Sequence, residues 1–278
     1  MGVRRAVELA QEEAEKASSG AEKVFTLGPL IHNPNVLFHL ESLGVKTVDE
    51  PPKDSSGCSI IIRAHGISPQ AEEDLRGRGF RVIDATCPKV KENQLKAQEL
   101  SREGYCLFLA GEAEHAEIEG LKGYADSAGA PFCAVVADSG EAEKEAATLR
   151  ETNSNAKTAL LGQTTIRAEE YSAIGQAVKK FFPDVEIVQT ICGAASDRQK
   201  ALRELLEQVD AVIIAGGKES ANTRRLLAVA QESGKPCALV QNASEIPASI
   251  QLYETVGLCA GASTPDSLID EIELELYR

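Results

Sequence analysis

No CxxC pair, no apolar run near the length of a membrane span and no excess of basic residues occur in this chain. Each absence removes a class of protein. Apolar runs are four to six residues long, far short of the ~20 that cross a bilayer. The N-terminus lacks the charged-then-apolar pattern of a secretory signal, so a soluble cytoplasmic protein is expected. Lysine and arginine number 29 against 43 aspartates and glutamates, a net charge of −14. A nucleic-acid partner needs a basic face to neutralise phosphates; that class is excluded, while a small anion held in a local pocket is not. Nucleotide fingerprints are missing as well. The Gly-Lys of GGKESANT is followed by Glu219 where a phosphate loop needs Ser or Thr, and there is no GxGxxG. No low-complexity linker divides the chain.

Seven cysteines, at 58, 87, 106, 133, 192, 237 and 259, are an odd number and stand singly. That usage fits reduced thiols better than a disulfide framework. Five of them lie in or beside apolar strand runs and read as small buried hydrophobes. Cys87 and Cys192 differ. FRVIDATC leads into PKVKENQLKAQELSREG, and VEIVQTIC leads into GAASDRQKALRELLEQ, so each cysteine ends a β-branched strand and opens a helix. A helix N-terminus favours thiolate, which points to a metal or redox centre; a third such thiol would point to an iron–sulfur cluster with one open iron. The chain itself opens on GVRRAVELAQEEAEK, a helix of the same style without a strand before it.

Short apolar runs alternate with helical patterns throughout, the mark of α/β architecture with parallel sheets. Eleven strands are expected, in VFTLG, VKTVD, SIIIRAH, RVIDATC, YCLFLAG, FCAVVAD, TALLGQ, EIVQTIC, AVIIAGG, CALVQN and VGLCAGA. Helices are expected in NVLFHLESLG, PQAEEDLRGRG, KENQLKAQELSREG, AEEYSAIGQAVKKFF and NTRRLLAVAQESG. Four strands lead to Cys87, four more to Cys192, and three remain. We therefore expect three small α/β units, 1–87, 88–191 and 192–278, in preference to a single (β/α)8 barrel. By analogy, the opening helix follows the strand that the third unit lacks.

Parallel sheets present ligands at the carboxyl ends of their strands. Three of the four histidines, His32, His65 and His115, fall at such ends, with Thr164, Thr165, Ser220, Asn222, Thr223 and Ser263. Any one of the short polar residues is by default a helix cap. Together with three imidazoles they supply the donors and positive charge that a phosphate or diphosphate requires. His39 reads as an ordinary helix residue. In HAEIEG, Glu117 or Glu119 is a candidate proton donor if buried, and Glu117 is nearer the strand end.

The stretches GVRRAVELA, GPLIHNPNV, RAHGISP, DATCPKV, HAEIEG, GQTT, TICGAASDRQ, GGKESANTRRL and GASTPDSLI together resemble the 4-hydroxy-3-methylbut-2-enyl diphosphate reductase family of the methylerythritol phosphate route to isoprenoids. The resemblance runs from end to end of the chain. It implies a trefoil of three α/β units around a central [4Fe–4S] cluster, with Cys87 and Cys192 as ligands and the open iron as Lewis acid. His32, His65, His115, Gln163, Thr164, Ser220, Asn222 and Ser263 would bind the diphosphate substrate. Glu117, with His115 and Thr164, would deliver protons for loss of the allylic hydroxyl. Ferredoxin or flavodoxin would supply electrons.

The sequence departs from that pattern in places. The family's first cluster cysteine, in GFCxGVxRA, falls one position before Met1, so a form truncated just after it is expected, and such a form should hold no cluster stably. Ala221 stands for a serine, Ala195 for a threonine, Glu112 for a histidine and Ala116 for a proline. These changes leave open a homologue that binds a diphosphate-like anion without redox chemistry, and a zinc site using Cys87, Cys192 and a histidine.

Overall fold

A computed structural model describes residues 2–18, 22–31 and 33–277. The strands are β1 (Lys23–Leu27), β2 (Val45–Val48), β3 (Cys58–Ile62), β4 (Arg81–Asp84), β5 (Cys106–Ala110), β6 (Cys133–Val136), β7 (Thr158–Gly162), β8 (Glu186–Ile187), β9 (Ala211–Ala215), β10 (Cys237–Val240) and β11 (Val256–Ala260). The helices are α1 (Gly2–Ser18), α2 (Pro34–Ser42), α3 (Pro69–Gly77), α4 (Pro88–Arg102), α5 (Ala116–Ser127), α6 (Ser139–Thr152), α7 (Ala168–Lys179), α8 (Gly193–Leu206), α9 (Ala221–Glu232) and α10 (Asp266–Leu276). Every segment expected to be a strand contains one. Helices α5, α6 and α10 lie outside the segments named above. For α6 the reason is a narrow apolar face: it buries only Ala142, Ala146 and Leu149.

The strands form three sheets in which all the described pairings are parallel. Their orders are β2-β1-β3-β4, β6-β5-β7-β8 and β10-β9-β11. The first two share one winding, and the third repeats it without a fourth strand among the described residues. These are open α/β sheets, not a closed barrel. Strands β3, β5, β7 and β9 are buried along their whole length, as expected of parallel strands covered on both faces.

The chain divides into two compact units, Met1–Leu30 with Gly44–Cys192, and Ile31–Leu43 with Gly193–Arg278. In the first, the second sheet shows how its faces are filled. Phe108, Ala110 and Leu160 meet Tyr171, Ile174 and Val178 of α7 on one side. Leu107, Leu109, Ala159 and Leu161 meet Ala97 and Leu100 of α4 and Ile118 and Leu121 of α5 on the other. Alternate side chains of one strand thus serve opposite layers, and each fully buried large apolar side chain contributes about 1.5–3 kcal/mol. The helix that follows Cys87 therefore packs on the second sheet. Likewise α1 packs against β1, and its buried Glu13 pairs with Arg81 of β4 and with Lys16. Burial works to raise the Glu13 carboxyl, but those two cations outweigh it and hold it below the usual range. In the second unit, Leu202 and Leu206 of α8 pack with Val212 and Ile214 of β9 and with Leu226 and Val229 of α9. Helix α2 belongs to this unit: Asn33 caps it, accepting from the Asn35 and Val36 N–H groups at 3.1 and 3.3 Å.

Candidate active site

The two strands expected to run up to the cysteines stop short of them, β4 at Asp84 and β8 at Ile187. Local hydrogen bonds end both ladders. The Thr86 N–H turns to Asp84 Oδ1 at 2.9 Å, and the Thr190 N–H bonds to Val188 O at 2.9 Å. Beyond these turns the cysteines occupy equivalent places. The Cys87 N–H donates to Ala64 O at 2.9 Å, just past the end of β3, and the Cys192 N–H donates to Thr164 O at 2.8 Å, just past the end of β7. Both thiols are free and half-buried. Cys87 holds the cap position of α4 and makes no side-chain cap bond, with Pro88 following at the first helical position.

Helix α1 begins against the first of these thiols. A methyl group placed on Gly2 would lie on Cys87 Sγ. The Arg5 guanidinium reaches the carbonyls of Thr86 and Asp84 at 3.2 and 3.4 Å. From α4, Lys89 Nζ donates to Gln189 O at 2.9 Å and Asn93 Nδ2 to Thr190 O at 3.0 Å. The helix that starts at Cys87 is thus tied to the segment that ends at Cys192. Asp84 is pulled up by burial, but the Thr86 hydroxyl and N–H and the Lys91 ammonium outweigh that and hold its carboxyl below the usual range.

At the tips of the second sheet, Glu117 is buried at 2 % exposure. Its two oxygens accept from the Thr164 N–H at 2.8 Å and the Thr164 hydroxyl at 2.9 Å. His115 caps α5, its Nδ1 accepting from the Glu117 N–H at 3.1 Å, which leaves Nε2 as the protonated nitrogen of the neutral ring. The His65 ring stands edge-on to His115, centroids 5.3 Å apart at 89°. Gln163 is fully buried, and its Nε2 donates to Thr165 Oγ1 at 3.2 Å. The fold therefore brings His65 to His115 and Glu117 to Thr164, and turns Gln163 toward Thr165.

Three further expected residues lie on the second unit. Ser220 caps α9, its Oγ accepting from the Thr223 N–H at 3.4 Å. Asn222 is buried, and neither its Nδ2 nor its Oδ1 has a hydrogen-bond partner among the described residues. The Ser263 carbonyl accepts from Asn33 Nδ2 at 2.9 Å. His32 lies outside the described residues. Asn33 was not foreseen as part of the site. Asn-Pro before an apolar run signals its capping role, but its bond to Ser263 has no local signature.

The donor set tests whether these residues suit an iron–sulfur cluster. Two equivalent free thiols at helix openings fit as ligands. No group of three or more His, Cys, Asp or Glu side chains that could hold a metal occurs among the described residues, so the set stops at two thiolates where such clusters usually have four cysteines. The same finding tells against zinc on Cys87, Cys192 and a described histidine. The remaining cysteines are no substitutes. Cys58 and Cys106 are buried in sheet cores, and burial pushes the Cys133 thiol up to about 12 and raises Cys237 and Cys259.

Fold and tips together define an α/β protein of three open parallel sheets, with paired helix-opening thiols and a histidine–carboxylate–hydroxyl set. The chain belongs to the LytB protein family, whose model matches residues 1–277. It is 42 % identical over 284 residues to 4-hydroxy-3-methylbut-2-enyl diphosphate reductase of Treponema denticola, covering 100 % of this chain and 95 % of that protein. To the enzyme of the same name from Aquifex aeolicus it is 39 % identical over 280 residues, covering 100 % and 92 %. A solved structure of (E)-4-hydroxy-3-methyl-but-2-enyl diphosphate reductase, described as the terminal enzyme of the non-mevalonate pathway, aligns over 100 % of this chain and 95 % of its own at 36 % identity and TM-score 0.73. The E-1-hydroxy-2-methyl-but-2-enyl-4-diphosphate reductase of Plasmodium falciparum aligns over 100 % and 84 % at 27 % identity and TM-score 0.90.

Proposed function

We propose that this protein reduces 4-hydroxy-3-methylbut-2-enyl diphosphate to isopentenyl diphosphate and dimethylallyl diphosphate. Two electrons and two protons are taken up, the allylic C–O bond breaks, and water leaves. The observation that carries this reading is the buried carboxyl of Glu117, a residue on the turn after His115, held through both oxygens by Thr164, in a chain with these relatives. Glu117 is read as the proton donor, with the Thr164 hydroxyl as the group through which the proton passes. His115 holds the first turn of α5, and so Glu117, in place.

His32, His65, His115, Gln163, Thr164, Ser220, Asn222 and Ser263 are read as contacts of the diphosphate. The buried amide of Asn222 supports this, because its donor and acceptor are both unused among the described residues. Cys87 and Cys192 would hold a [4Fe–4S] cluster, which when bound supplies the two electrons. A ferredoxin or flavodoxin would deliver them from outside. The division into units 1–87, 88–191 and 192–278 belongs to the same reading, supported by α4 packing on the second sheet and α8 on the third. A cytoplasmic location is supported by seven free thiols. Among the described residues no helix is long and apolar enough to cross a membrane.

The test is anaerobic incubation of the iron- and sulfide-treated protein with the substrate and a chemical reductant. Both isoprenoid diphosphates should form, as seen by mass spectrometry. Tight binding of the substrate without either product, in protein that retains its iron, would instead support an anion-binding protein without redox chemistry.

A further inference from the structure

Gln94 of α4 is 0 % exposed, and neither its Oε1 nor its Nε2 has a hydrogen-bond partner among the described residues. Leaving such a group unsatisfied is costly, and folded proteins seldom keep one without a use for it. Its own helix offers no use: the neighbouring Asn93 is spent on Thr190 O, and Ala97 and Leu100 are in the core. Its surroundings do. A methyl group on Gly66 would lie on Gln94 Nε2, and one on Gly120 would lie 2.7 Å from the same atom. Gly66 also sits at φ +76°, so side chains are excluded there twice over. The amide is pressed against the backbone of both glycines.

Those two glycines belong to the histidine-bearing segments. Gly66 follows His65 directly, and Gly120 lies on α5 one turn beyond Glu117. A cavity of about 560 Å³ also opens onto Gly66 and Gly120, and Gln94 is not among its lining residues. The turn after His65 therefore has open space on one flank and the Gln94 amide as its packed support.

We propose that Gln94 is a positioning residue: its amide fixes the His65–Gly66 turn against the first turns of α5 and so sets how His65 stands on His115. This rests on reading that pair as part of the diphosphate site. Sites of this kind need their groups held within about 0.5 Å, and a support in direct contact with both backbones supplies that.

Two variants of the full chain test it. Gln94→Met keeps length and volume and removes the polar atoms; Gln94→Leu is the second, should the first fold poorly. The ring ¹H–¹³C resonances of His65 and His115 should shift in both variants while those of His39 on α2 stay put. Affinity for inorganic diphosphate, measured by calorimetry, should fall about tenfold. The melting temperature should hold or rise, since an unpaired amide has been replaced by an apolar group. Unmoved His65 and His115 resonances in both variants would overturn the proposal. If the wild-type chain does not bind diphosphate, the ligand assignment falls, and the resonances still decide the role of Gln94.

Discussion

Glu117 and Asn33 show how single side chains join segments distant in the sequence. Glu117 spends both oxygens on Thr164 while its own N–H caps onto His115, so one residue joins two strand tips. Replacing it with Gln keeps the shape and removes the acid. Glu117→Gln should lower turnover by about 10²–10⁴-fold, the usual worth of a general acid, with substrate affinity little changed. A rate within a factor of about three of wild type would remove Glu117 from proton delivery. This residue was legible in the sequence because HAEIEG sits between an apolar strand and a helical pattern, which places its carboxylate at a tip. Asn33 was only half legible, since its cap is local but its bond to Ser263 joins residues 230 apart. Gln94 gave no sign at all: a glutamine inside a polar helix sequence reads as a solvated residue until its burial is seen.

Elements are held by their ends. The turn after β4 is secured by the Asp84 carboxylate on the Thr86 N–H, by Lys91 beside it at 3.1 Å, and by Arg5 of α1 on the backbone carbonyls. The folded-state value of Asp84 lies below its ordinary one, so the ionised carboxylate stabilises the fold. That contribution is complete above the unfolded value near ~4 and is lost as pH falls through the folded value. Asp84→Asn should therefore lower the melting temperature at pH 7 by about 2–4 °C, and the gap should close as pH falls through the folded-state value of Asp84. A gap that stays constant across the acid range would show that the charge does not matter. The eleven strands were readable as short apolar runs, most plainly β3, β5, β7 and β9, which are buried along their whole length. Their stopping points were not, because an Asp-x-Thr turn and a Val-x-Thr turn use side-chain and local backbone bonds that strand patterns do not encode.

At the scale of the molecule, one winding appears in three sheets, with four strands in two of them and three in the third among the described residues. The count of four, four and three strands was readable because each repeat punctuates itself with a tip and a helix. The placing of α2 with residues 193–278 was not readable, because it depends on long-range contacts such as Asn33 with Ser263 and Asn35 with Gln241. The same repeat gives the Cys87 and Cys192 N–H groups equivalent acceptors, Ala64 O and Thr164 O, and these two residues are the pair on which the proposed chemistry depends. The most direct test is iron and sulfide content, with Mössbauer spectroscopy, after anaerobic reconstitution of the full chain and of three single variants. A cluster signal that decays in air is expected in the wild type, with its loss in both Cys87→Ser and Cys192→Ser and its retention in Cys259→Ser. Equal iron uptake by Cys87→Ser or Cys192→Ser and the wild type would contradict that expectation.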